Sequence, residues 1–149
     1  MSDISTVYDA IVTRMGTLLP NHKRITDPYD IEKNNEQFLN QGWGLALGPS
    51  FNGELFLSQK LTYQRNFVIT ITRKAYSREF DVESKATTEK LLMEDIFTVT
   101  SDFTVNSTLS TATNHVTYLG DSGIQKIFTD KDQYLMTQIE IQSTIIEHI

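Results

Sequence analysis

The sequence predicts an α+β fold, in which a mainly antiparallel sheet packs against two principal helices and carries a long β-hairpin or loop extension. Three observations carry the prediction. Ile4, Val7, Tyr8, Ile11, Val12, Met15, Leu18 and Leu19 recur at the three- and four-residue spacing that lines one face of a helix. Near the other end, Leu135, Ile139, Ile141 and Ile145 alternate with Met136, Gln138, Glu140, Gln142 and Thr144, the two-residue spacing of a half-buried strand. Between them the periods come in blocks, helix then strands then helix then strands, with no linker long or polar enough to divide domains.

Ser2 or Asp3 caps the first helix, placed at Ile4 to Leu19, and Pro20 stops it because proline disfavours helical geometry in the residue before it. Lys23-Arg24-Ile25 reads as a brief strand ahead of the turn signal Asp27-Pro28. Asp30 to Leu39 reads as a loop with helical turns, since Asn34 and Asn35 are poor helix formers. Gly42 to Gly48 alternates small and large side chains, which suits a strand crossed closely by another backbone; Pro49 is expected to end it. Phe51-Asn52-Gly53-Glu54 has turn chemistry, so Pro49 to Gln59 reads as a protruding connection outside the core. Leu61 to Arg73 is the clearest central strand, with Phe67, Ile69 and Ile71 facing one way and Val68, Thr70 and Thr72 the other.

The alternation of Phe80 and Val82 with Glu79, Asp81 and Glu83 reads as an extension of that pair over Tyr76 to Val82. From Thr88 the period becomes helical, with Leu91, Leu92, Ile96, Val99 and Phe103 on one face and Glu89, Lys90, Glu94 and Asp102 elsewhere. This helix ends within the Thr/Ser-rich stretch Thr98 to Thr113, because β-branched residues resist helix. His115 to Leu119 reads as a strand, Gly120 to Gly123 as a turn, and Ile124 to Phe128 as that strand's continuation or partner. Thr129 to Asp132 turns the chain into the long final strand.

Composition narrows function. The chain has 149 residues, enough for one domain with a sizeable core. No apolar run approaches the ~20 residues of a membrane helix, and the N-terminus lacks the basic start and continuous apolar stretch of an export signal. Without cysteine, disulfides, thiolate metal sites and cysteine nucleophiles are excluded. A net charge of −6 with scattered Lys and Arg sets the long-range field against nucleic acid.

No constellation of catalytic or ligating residues accompanies this pattern, and the chain reads as a non-enzyme with no cofactor and no metal. His22, His115 and His148 are far apart in sequence, at none of the spacings that bring imidazoles together on one helix face, and each reads as a surface or strand-end histidine. Asp121-Ser122-Gly123 and Asp130-Lys131-Asp132 read as turns, because the calcium-loop pattern is not met. Glu89, Glu94 and Asp95 read as a solvated helix face rather than an acid–base pair. Gly-x-Ser-x-Gly and phosphate-cradling glycine motifs are absent, and Gly42, Gly44 and Gly48 only mimic a dinucleotide fingerprint in a strand. Trp43, Phe51, Phe56, Tyr63 and Phe67 concentrate aromatic area around the hairpin, and aromatics anchor contacts between proteins. Trp43 and Phe67 are expected in the core. Phe51 and Phe56 suit core and interface equally. Phe51, Phe56 and Arg65 are the residues expected at a subunit interface.

The layout resembles the tail terminator, or tail completion, proteins of long-tailed bacteriophages over nearly the whole chain. The resemblance rests on an opening amphipathic helix, a loop from Asp27-Pro28-Tyr29 through Asn34-Asn35, and the Gly-rich strand Gln41-Gly42-Trp43-Gly44-Leu45. A long strand carrying Arg65 to Arg73, a helix after Thr88 and a terminal strand pair complete it. It implies a hexameric ring at the head–tail junction of the virion, assembled in the host bacterial cytoplasm. Such a ring caps the tail tube protein, stops tube polymerisation and receives the head–tail connector, with DNA only passing through its lumen as genome and no membrane contact. The family has no catalytic motif to transfer. Two alternatives stand beside it: another neck or head-completion protein, and a small-molecule binding domain with an aromatic-lined pocket.

Overall fold

A computed structural model describes residues 3–56, 59–75, 82–109, 115–129 and 132–148, with backbone alone at 55–56 and 82–85. Helix α1 runs Ile4–Leu18, and the Asp3 carboxylate caps it by accepting the Thr6 amide at 2.8 Å. Its buried residues Val7, Ala10, Ile11 and Met15 follow the expected stripe. Strand β1 is Lys23–Arg24; a 3-10 turn at Ile31–Lys33 and helix α2 at Glu36–Leu39 supply the helical turns of the following loop. Strands β2 (Gln41–Phe56) and β3 (Lys60–Ala75) form a hairpin, helix α3 is Val82–Val105, and β4 (Val116–Asp121), β5 (Gln125–Phe128) and β6 (Gln133–His148) close the chain.

The sheet order is β1-β2-β3-β6-β4, and β5 continues the edge of β4 along the same neighbour, β6. Among the described residues only the short β1–β2 pair is parallel. The fold is therefore α+β with a mixed, mainly antiparallel sheet. Helices α1 and α3 cover one face, where Trp43, Leu45, Phe67, Ile69, Ile71, Ile139, Ile141 and Ile145 share a core with Ile11, Met15, Leu92, Val99 and Phe103. Trp43 and Phe67 lie in this core as expected, at 4% and 0% exposure. On the opposite face Ile25, Ile31 and Leu39 pack over Tyr134 and Ile127 in a smaller cluster. Gly42 permits that second layer, since a Cβ there would collide with the Phe38 carbonyl oxygen of α2.

Four expectations need correction. Pro49 does not end β2, because a register shift between Leu47 and Ser50 takes it out of the ladder on a strand whose outer edge meets β1 only at Gly42 and Trp43. The turn chemistry of Phe51 to Glu54 makes a second bulge, with Asn52 in the left-handed region at φ 54°, and the connection lies beyond Phe56. Pro49 to Phe56 is thus strand, not a detachable loop. Helix α3 starts at Val82 rather than Thr88, because a few alternating residues cannot separate helical from strand period; residues 76–81 of the expected strand extension lie outside the described residues. Among the described residues no helix is long and apolar enough to cross a membrane.

Candidate assembly surface

One buried polar network joins a histidine, an arginine and a carboxylate. Asp95 on α3 receives Arg73 of β3 through two bonds, Nε to Oδ2 at 2.7 Å and Nη2 to Oδ1 at 3.0 Å, and lies 3.1 Å from His22 Nε2. His22 Nδ1 is 3.3 Å from the Gln41 side-chain nitrogen. Burial pushes the Asp95 carboxyl up, but hydrogen bonds from His22 and Arg73 and their charges outweigh it and hold the group below the usual carboxylate range. The Asp95 side chain is 8% exposed, which corrects the solvated-face expectation, and the His22 side chain, 3% exposed at the strand end just before β1, is not a surface residue. Both ring nitrogens of His22 are engaged, and the carboxylate is clasped on two sides. The arrangement fastens the α1–β1 connection, the start of β2 and the end of β3 to α3. The sequence signal was present, since Asp95 falls on the same helical face as Leu92, Val99 and Phe103.

The other two histidines and the turn acids are separate from it. His115, beside Ser107 and Thr108, and His148, ending β6, are both exposed. Asp121 caps its turn through the Gly123 amide at 2.8 Å, while residues 130–131 of the Asp130-Lys131-Asp132 turn lie outside the described residues. Among the described residues no three His, Asp or Glu side chains stand close enough to hold a metal ion. Glu89 and Glu94 are exposed on α3, as expected for a solvated face.

The distal half of the hairpin makes a concave surface. There β3 residues Lys60–Arg65 pair with β2 on one side and with Ser143–His148 of β6 on the other, beyond the start of β4 at Val116. These three strands form an arm. The bulge at Phe51–Glu54 borders an open hollow of about 500 Å³ on the helix-side face of the arm, with Leu61, Tyr63, Arg65 and Glu147 as floor and Phe51 on the rim. Glu147 accepts the Ile4 amide at 2.9 Å and the Tyr63 hydroxyl at 3.4 Å, which fixes the first turn of α1 beside the cradle. Burial, then the Glu147 charge, raises the Tyr63 phenol above its ordinary value. Arg65 donates to the Gly48 carbonyl at 2.9 Å and stacks 5.6 Å from the Tyr63 ring, and among the described residues no carboxylate pairs with it.

Of the three expected interface residues, the structure brings Phe51 and Arg65 into this cradle, Phe51 at 44% exposure and Arg65 half-buried. The Phe56 side chain lies outside the described residues. A second exposed apolar surface has no counterpart among the sequence expectations. Met93 and Phe97, 56% and 72% exposed, stand one turn apart on the outward side of α3, flanked by Lys90 and Glu94. Leu91, expected on the core face, is 38% exposed because it sits off the line of Leu92, Val99 and Phe103. The signal for this stripe was the four-residue spacing of Met93 and Phe97, hidden because the helix has apolar residues on more than one side.

Compared with family models and with curated proteins, the chain matches none.

Proposed function

We propose that this chain is a virion structural protein that forms a ring, hexameric on the resemblance described above, which caps the tail tube of a long-tailed phage at the head–tail junction. There it stops tube polymerisation and offers the docking surface for the head connector. One observation supports the ring: two exposed apolar surfaces lie at opposite ends of β3. The cradle floor is Leu61 to Arg65, whereas Met93 and Phe97 flank Asp95, which is bonded to Arg73. Arg65 and Arg73 are eight residue steps apart on the strand, about 26 Å at the rise of an extended chain. Surfaces so far apart cannot satisfy each other within one copy, and different patches meeting head to tail produce a closed ring or a filament.

The test is the mass of the native particle, with and without tail tubes, followed by electron microscopy of tails assembled without this chain. A closed oligomer together with overlong tubes supports the reading. Normal tube length would move the assignment to another neck or head-completion protein, and a strict monomer that saturates with a small ligand would favour a binding domain.

A further inference from the structure

We propose that the cradle of one copy receives the outward face of α3 from the next copy, with Phe97 and Met93 seated between Phe51 and Tyr63. The occupant follows from charge, shape and layer. Lys90 and Glu94, one turn apart beside the stripe, have no ion-pair partner among the described residues. In the cradle, Arg65 lacks a carboxylate partner and Glu147 supplies an anion, so Glu94 meets Arg65 and Lys90 meets Glu147 with opposite signs on both sides. The cradle also belongs to the sheet face on which α1 and α3 already pack in the same copy. A neighbour's α3 there extends the same helix-on-sheet layer. The contact joins two different patches, so it propagates in one direction around a ring. This inference rests on the ring reading and adds which surfaces meet.

The native chain contains no cysteine, so single introduced thiols report contacts without background. Phe51→Cys and Phe97→Cys are prepared separately, mixed at a concentration where the unmodified chain is assembled, and treated with a short bismaleimide. The expected result is a crosslinked pair in the mixture and none in either variant alone, with loss of assembly in Phe97→Asp while its melting temperature stays at that of the parent. Crosslinking of Phe97→Cys alone overturns the proposal in favour of helix pairing about a two-fold axis. Full oligomer mass with no crosslink overturns this docking and leaves the ring intact. A monomer at every concentration, with and without tail tubes, sinks both.

Discussion

At the base of the sheet Phe67, Ile69 and Ile71 are fully buried, whereas Leu61, Tyr63 and Arg65, on the same face of the same strand, are half-buried. Their alternation is identical; their cover is not. Helix α1 has 15 residues and reaches about 22 Å, while β3 has 16 and extends about 53 Å. A helix of that length cannot roof such a strand. Helix α3 is longer, but Asp95 ties it to Arg73, the far end from the arm, and the stretch from Ile96 to Val105 that follows reaches only about 15 Å. Burial at the base is therefore complete within one copy, and the arm keeps an aromatic, charged face for contact with something else.

The sharpest way to break this contrast is to place a charge in the base. Ile139→Asp is expected to cost more than about 4 kcal/mol, because a carboxylate would be buried without a partner, and to abolish cooperative unfolding in urea. A parental melting temperature would mean that the strand faces are inverted. Next in size, Asp95→Asn removes the charge that Arg73 and His22 share and is expected to cost about 3 kcal/mol.

The same pair of proteins also tests a pH dependence with a fixed sign. Because the folded Asp95 is held below its ordinary value, its contribution is complete above the unfolded value of about 3.9 and is lost as pH falls through the folded value. The stability difference between parent and Asp95→Asn should shrink as pH is lowered, so equal differences at about pH 6 and about pH 2.5 would contradict the network.

Gly42→Ala comes third, at about 2 kcal/mol, since the added methyl meets the α2 backbone and not a side chain that can rotate away. In the arm the scale drops. Phe51→Ser is expected to change stability by less than about 0.5 kcal/mol while weakening assembly in sedimentation. A large loss of stability there would show that the arm is part of the core, and the contrast between the two halves would dissolve.

Most of the scaffold is legible in residue spacing. The stripe of α1, the face assignment of β3 and the alternation of β6 follow from period alone, because a buried face imposes its spacing on the residues that fill it. Local punctuation misleads where neighbours distant in the chain decide the outcome. Pro49 and the Asn52-Gly53 pair look like a strand end and a turn, yet the ladder to β3 resumes after each as a bulge. For the candidate surface, aromatic density points to Phe51 and strand position to Arg65. Met93 and Phe97 are not legible in the same way, because exposure is decided by which face of α3 meets the sheet.

Residue order alone therefore determined the type of the principal elements, their apolar faces and the exclusion of cysteine chemistry, since these depend on side-chain identity at short spacing. Tertiary packing alone decided that His22, Arg73, Gln41 and Asp95 converge, and that one end of β3 lies under helices while the other stays open. Those outcomes depend on the lengths and crossing points of elements distant in the chain, quantities that no local pattern contains.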